Sequence, residues 1–398
     1  MQVFSRDPLA KIFGHSKQKD IIKHQISTDH LPQTILFTGA ASIGKTTLAK
    51  AIAEMIFTLK ARTDAELASI SSRINRFEHP DFHIVYPQTG QKDKALKDKS
   101  SNTFLYEHLC EFNNHHPFPK SEISIDQIRK DKTGKSQIIS LEESLASKPY
   151  EADCKIVLMI DADRLSPEAS NAFLKTLEEP PGETIFLLTS SASEKLLPTI
   201  RSRSFILPLA PLTREEILDC LMNKGFNQEE ARFLGIFSQG ALGIALSHSF
   251  NYLIGIRRSL LKIIYSITSK SLLHFFSSIE EIAPLQPFYK DEKGMTPTSI
   301  SMLSFLISDV LYASTGREDD MLNIDLRDIY LDIDPSIYKG INDAMLKLPE
   351  RYSLFKEIPL APHPFWSSIF FEIADTIREI FSNDRLKAYQ RRLRTSPA

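Results

Sequence analysis

The octapeptide Gly39-Ala-Ala-Ser-Ile-Gly44-Lys45-Thr46 constrains this chain more than any other stretch, because it carries meaning in only one local setting. It matches GxxxxGK followed by Ser or Thr throughout, and such a loop requires a buried strand before it and a helix after it. Both are legible. Residues 34–38, TILFT, read as a short buried strand. From Lys45 to about Phe57 the residues Leu48, Ala51, Ile52, Met55 and Ile56 recur at helical spacing. Strand, Gly-rich loop and helix together open a parallel βα unit. The residue types then dictate the chemistry. Gly39 and Gly44 let backbone N–H groups turn inward around phosphates, and Lys45 would neutralise the β and γ phosphates. Thr46 would hold Mg²⁺ through its hydroxyl. Thr47 completes the nucleotide-binding set in the first helical turn, whose positive end favours an anion. ATP with Mg²⁺ is the expected ligand; a retained but empty loop is the competing reading.

The α/β pattern continues to about residue 210. Lys155 to Asp161, KIVLMID, is a near-continuous apolar run, as in a parallel strand buried on both faces. Ser166 and Pro167 suit an N-cap and a first helical position. Ala169, Ala172, Phe173, Thr176 and Leu177 make the inner face of that helix, which Pro180 and Pro181 end. Ile185–Ser190 and Phe205–Leu209 read as further strands. Alternating strands and helices imply a doubly wound α/β domain over residues 1–210.

After Pro211 the strand signal fades. Residues 211–260 read as a small helical lid, with helix starts near Thr213 and Asn227, and residues 261–398 as an all-α C-terminal domain. Leu303, Leu306, Ile307, Val310 and Leu311 form one apolar stripe. Trp366, Ile369, Phe370, Ile373, Ile377, Ile380 and Phe381 form another. Lysines interleaved with aspartates over residues 90–104 read as a solvated loop. The basic tail, Lys387 to Arg394, reads as a solvated helix end or a nucleic-acid contact.

Hydrolysis asks for more than a phosphate loop. An acidic pair at the end of a core strand assists Mg²⁺ and orients the attacking water. Here Asp161 stands between Ile160 and Ala162, so one of the two tasks lacks its usual acid. Asp163 falls on the other side of the chain if the strand continues, and elsewhere if it turns. Weak or absent hydrolysis is expected. Thr189, Ser190 and Ser191 follow the next strand; Ser190 would place a hydroxyl at the nucleotide, or the hydroxyls simply finish the strand. Arg203, inside Ser202-Arg203-Ser204 just before a strand, would serve as an arginine finger offered to a neighbouring subunit, with Arg201 its nearby competitor.

Composition narrows the class. A formal net charge of −2 argues against a protein that coats duplex DNA alone, since phosphate neutralisation needs surplus Lys and Arg. The cysteines Cys110, Cys154 and Cys220 lie far apart, so they cannot supply a four-ligand zinc site; no zinc is expected, and a reducing cytoplasm is. The opening MQVFSRDPLAK lacks the apolar core of a signal peptide, and no apolar run is long enough to span a membrane.

GAASIGKT, HPDFH at 79–83, ISIDQIR, KPYEA at 148–152, NAFLKTLEEPP and the Ser-Arg-Ser triplet together resemble the clamp-loader subunits of bacterial DNA polymerase III, of the AAA+ class, most closely the delta prime group. The resemblance covers residues 10–210; beyond that it extends only to helical character and length. It implies a P-loop AAA+ domain, a helical lid and a C-terminal collar. It implies a subunit of an ATP-driven ring, with gamma/tau and delta subunits as partners, that opens a sliding clamp and places it on primed DNA. It also implies Arg203 as the residue reaching an adjacent subunit's ATP. Ser204 departs from the family's usual cysteine, the family's four-cysteine zinc module is missing, and Gly243 stands where motor subunits carry a nucleotide-sensing arginine. Of the readings considered, a non-motor clamp-loader subunit ranks first. An active gamma/tau-type ATPase is second, and a P-loop enzyme unrelated to replication third.

Overall fold

The computed structural model describes residues 7–87, 122–128, 140–268 and 298–330, with residues 340, 343, 346, 367, 369–371 and 374–381. Five strands form one sheet: β1 (Thr34–Thr38), β2 (Phe82–Val85), β3 (Lys155–Met159), β4 (Thr184–Ser190) and β5 (Phe205–Pro208). Their order is β2-β3-β4-β1-β5, and every neighbouring pair is parallel. Register pairs Thr38 with Ser190 and Met159 with Leu188, so β1, β3 and β4 all end along one edge of the sheet.

Burial on both faces explains the apolar runs. Successive strand residues point to opposite sides. Ile35, Phe37, Ile156, Leu158 and Leu187 enter one core, with Leu48 and Ile52 of the helix Lys45–Thr58. Leu36, Val157, Met159, Phe186 and Leu188 enter the other, against Phe173 and Leu177. Each such side chain contributes about 1.5–3 kcal/mol by leaving water.

The helix Pro167–Glu178 begins as its sequence dictates. The Ser166 hydroxyl accepts from the Ala169 N–H at 3.1 Å, Pro167 sits at the first helical position, and the helix stops ahead of Pro180. Ala169, Phe173 and Leu177 are buried and Ala172 and Thr176 half-buried, so the inner face is the expected one. The preceding helix, Leu141–Leu145, ends ahead of Pro149. Ile123 forms an isolated parallel bridge with Leu165, and the helix Ile125–Ile128 follows.

Two of the motifs meet. Asp81 of HPDFH is buried, and its carboxylate accepts from the backbone N–H groups of Tyr150, Glu151 and Ala152 at 2.6, 2.9 and 2.9 Å. Burial works to raise its pKa, but the three donors outweigh it and hold the carboxyl below its ordinary value. Asp81 thereby clips KPYEA, which leads into β3, to the start of β2. His79 stacks on Phe57 with ring centroids 4.3 Å apart, and burial takes the His83 pKa down to about 4.

The chain divides into two compact units. One comprises Met1–Gly225 with Ser238–Ser247; the other comprises Phe226–Phe237 with His248–Ala398. The first includes the helix Arg214–Asn223, opened by a capping box between Thr213 and Glu216. In the second, the helices Gln228–Phe237, Phe250–Thr268 and Thr298–Ser314 are described, and among the described residues no strand follows β5. Leu303, Leu306, Ile307 and Val310 are buried, as are Ile369, Phe370, Ile377, Ile380 and Phe381. Trp366, Ile373, residues 90–104, Cys110 and the Lys387–Arg394 tail lie outside the described residues. Asp309 is buried and accepts from the backbone N–H groups of Leu322 and Asn323 and from Asn323 Nδ2. Burial raises its pKa to about 6 against those donors.

Candidate functional site

The edge where β1, β3 and β4 end gathers the polar residues of the sheet. Beyond β1 the backbone turns through conformations that side chains resist. Gly39 has φ 139°, and a Cβ there would stand 2.3 Å from the Leu209 carbonyl oxygen. Gly44 has φ 99° and is the N-cap of Lys45–Thr58. With no side chain at the cap, the first-turn N–H groups of Lys45, Thr46 and Thr47 are left as donors for an anion. The Thr46 side chain is half-buried and Thr47 exposed.

Lys45 is buried and its ammonium has three acceptors. Nζ lies 2.7 Å from the Gly39 carbonyl oxygen, 2.5 Å from that of Ala40 and 2.9 Å from the Ser191 hydroxyl. Burial lowers its pKa to about 8, against the opposing pull of Asp161 and Asp163. Both carboxylates therefore act on the charge of this lysine, although no adjacent acidic pair exists in the sequence.

They converge because the chain turns at once after β3. Asp161 adopts a left-handed conformation, φ 53° and ψ 55°, which Asp tolerates better than most residues. A single 3₁₀ turn, Ala162–Arg164, follows. The Asp161 N–H donates to the Thr189 hydroxyl at 3.1 Å, and its carboxylate stands 4.0 Å from Arg164 Nε. Asp163 accepts from the Ser191 N–H at 3.1 Å, tying the end of β4 to this turn. Ser190 is buried and its hydroxyl accepts from the Ala192 N–H at 3.2 Å. The hydroxyl that reaches Lys45 belongs to Ser191.

The sequence names Asp163 and Ser191 but not their meeting: Ser191 joins Lys45 to Asp163, and Asp163 lies where the chain turns rather than continuing the strand. His15 escapes a reading of the sequence. His15, itself left-handed at φ 54°, makes a 2.8 Å hydrogen bond between Nε2 and the Ile43 carbonyl oxygen, pinning the phosphate loop from the N-terminal side. A further contact closes the loop from above. The Gly243 N–H donates to the Ser42 carbonyl oxygen at 2.8 Å, and a Cβ at residue 243 would lie 2.8 Å from that oxygen. No side chain fits there without moving the loop, so the missing arginine is a matter of space as well as sequence.

These residues suit a polyphosphate with a divalent cation. Inward N–H donors and one buried cation would take the phosphates, and the Thr46 hydroxyl with Asp161 would take the metal. Water activation is poorly served, because Asp161 has Ile160 and Ala162 beside it and an Asp163 oxygen accepts from Ser191. Among the described residues, no group of three or more His, Cys, Asp and Glu is arranged to hold a metal.

Arg203 occupies a different place. It is the C-cap of the short helix Pro198–Ser202 and is exposed. Its Nη2 lies 2.8 Å from Glu178 Oε1, and Nη1 lies 3.4 Å from the Thr199 carbonyl oxygen. The Ser204 hydroxyl donates to the Ile200 carbonyl oxygen at 2.7 Å and fixes the turn into β5. Arg201 is also exposed.

Comparison with known proteins assigns the family. The family described as "DNA polymerase III, delta subunit" matches residues 14–213. The Bacillus subtilis DNA polymerase III subunit delta' is 27% identical over 308 residues, covering 77% of this chain and 80% of its own. The Escherichia coli DNA polymerase III subunit delta' is 34% identical over 170 residues, 42% of this chain and 39% of that one. Among solved structures, a DNA polymerase III gamma subunit-related protein of Thermotoga maritima aligns over 90% of this chain and 99% of its own, with a TM-score of 0.42 and 14% identity. With the parallel sheet and phosphate loop, the family match and the sequence relatives place the chain in the DNA polymerase III delta-subunit family, as a delta prime-like clamp-loader subunit.

Proposed function

We propose that this chain takes the delta prime position in a clamp-loader ring with gamma/tau and delta subunits, and offers Arg203 to a neighbour's ATP. Residues 1–210 carry the phosphate loop and the arginine. Residues 211–260 act as the lid and 261–398 as the collar that joins the ring. The ring acts on a sliding clamp and primed DNA in the cytoplasm, and this subunit's own hydrolysis of ATP with Mg²⁺ is weak or absent.

The observation that carries this reading is the exposed position of Arg203 at a helix C-terminus, held by a carboxylate on the surface of its own subunit. A guanidinium so placed can be presented to a second protein's phosphate, where its planar fork matches the oxygens. The cis equipment supports the same division. Asp161 has no adjacent acid, and Gly243 fills with backbone the place of a sensing arginine.

The test is reconstitution with gamma/tau and delta subunits. The isolated chain should hydrolyse ATP negligibly, and Arg203→Ala should depress ATPase of the assembled loader. Vigorous hydrolysis by the chain alone, indifferent to that substitution, would overturn the proposal. Lys45→Ala should abolish nucleotide binding by this subunit while leaving assembly largely intact.

A further inference from the structure

We infer that Glu178 is a positioning residue for Arg203: the last residue of the helix Pro167–Glu178 aims the guanidinium that the neighbouring subunit's phosphate receives. The inference rests on the reading of Arg203 as an arginine offered in trans.

Three observations carry it. The first is contact: Arg203 Nη2 and Glu178 Oε1 are 2.8 Å apart, across two helices whose C-termini meet. The second is the siting of the acid. A carboxylate on the last turn of a helix faces the negative end of the helix dipole and is disfavoured there by a few tenths of a kcal/mol to about 1. Glu178 holds that position because the helix stops ahead of Pro180 and Pro181, so the stop places the acid beside the arginine. The third is the weakness of the pair as a fold element. The two side chains are 41% and 48% exposed, a setting in which ion pairs contribute little to stability. The contact therefore orients the guanidinium without anchoring the fold.

The geometry also leaves the guanidinium usable. Glu178 engages Nη2, and the Thr199 carbonyl oxygen receives a long 3.4 Å contact from Nη1, so the planar group is oriented from the side of its own subunit. Without Glu178 the arginine keeps its charge but must be ordered when the neighbour's phosphate arrives. Immobilising one long side chain at an interface weakens the interaction by about 3- to 10-fold.

The experiment uses the reconstituted loader and measures kcat and KM for ATP with Glu178→Gln, Glu178→Asp, Arg203→Ala and the Glu178→Gln/Arg203→Ala pair. Glu178→Gln should lower kcat about 3- to 10-fold, the ordering cost above, with KM unchanged within about twofold, as expected when an interaction made only in the transition state is weakened. Glu178→Asp, which keeps the charge on a shorter stem, should fall between wild type and Glu178→Gln. The double variant should be no slower than Arg203→Ala alone, because both changes remove one interaction. The melting temperature and co-purification of Glu178→Gln should match wild type. If Arg203→Ala leaves the loader's ATPase unaltered, the trans arginine and this inference fall together. If Arg203→Ala slows the loader but Glu178→Gln does not, speeds it, or adds to the Arg203 effect, only the positioning role is overturned.

Discussion

Lys45 and Arg203 are the two cations through which this chain would meet a phosphate, and the fold treats them in opposite ways. Lys45 is buried, carries three acceptors within 2.9 Å and has its pKa drawn down to about 8. Arg203 is exposed and held by one carboxylate that is itself half in water. The lysine region is wired into the protein from every side, by His15, Ser42–Gly243 and Asp163–Ser191. The arginine is attached to the surface through a short helix and little else. A cation built into the fold is costly to redeploy, whereas one at the rim can be given to another protein. The expected consequence is that substitutions around Lys45 register as stability, and those at Arg203 register in the assembled loader.

The largest effect should come from Gly39→Ala. The new methyl would stand 2.3 Å from the Leu209 carbonyl oxygen, at a backbone φ of 139°. Strain and overlap together should destabilise the first unit by about 4 kcal/mol, read as a shift of its denaturation midpoint in urea. A loss well under 1 kcal/mol would show that the loop yields freely and would dissolve the contrast with Arg203.

Next in size is a pH effect. Lys45 has a folded pKa of about 8 against an unfolded value near 10.5, so between those values the unfolded chain binds more protons. Stability attributable to this residue should therefore rise as pH increases from about 8 to 10.5, by on the order of 3 kcal/mol. Lys45→Met should lack that rise. Equal pH profiles for the two proteins would mean that the ammonium is better solvated than its burial indicates.

How much of this was legible in the sequence depends on whether a property is local. The phosphate loop, its strand and its helix were, because the glycines and the apolar spacing state their own requirements. KIVLM could be read as a strand buried on both faces from composition alone. The convergence of Asp163 and Ser191 near Lys45 could not. It depends on Asp161 turning left-handed at the end of β3, a conformation an Asp permits but does not announce. The Asp81 clip was likewise invisible, since HPDFH and KPYEA are distant in the chain and meet only through the pairing of β2 with β3. Gly243 could be recognised as the absence of an arginine, but its backbone bond to Ser42 could not. Glu178 was visible as part of a helix stop; its partner was not, because nothing in the spacing says that two helix ends adjoin.

Gly243→Ala comes third. Its methyl would meet the Ser42 carbonyl oxygen at 2.8 Å and the Ser42 Cβ at 2.9 Å, so the phosphate loop or the segment above it must shift. A cost of about 1–3 kcal/mol is expected, in the range of overpacked sites. Gly243→Arg should cost at least as much and confer no ATPase activity on the isolated chain. Gain of hydrolysis in that variant would mean that the cis site lacks only its sensor and would move the chain towards the motor subunits.

The smallest stability effect should belong to Arg203→Ala, and its smallness is the sharpest form of the comparison. The side chain is half-exposed, its ion pair with Glu178 is solvated, and its contact with the Thr199 carbonyl oxygen is long at 3.4 Å. Surface pairs of this kind contribute about 0–1 kcal/mol, and the half-exposed Glu178 carboxylate is taken up by water when its partner is removed. The melting curve of the isolated variant should therefore overlay that of wild type within about 0.5 kcal/mol. In the reconstituted loader the same substitution should depress ATPase strongly, as loss of a trans arginine does. A variant that is silent alone and impaired in the ring identifies a residue whose partner lies in another chain. A variant that unfolds alone would show that Arg203 holds its own subunit's fold together.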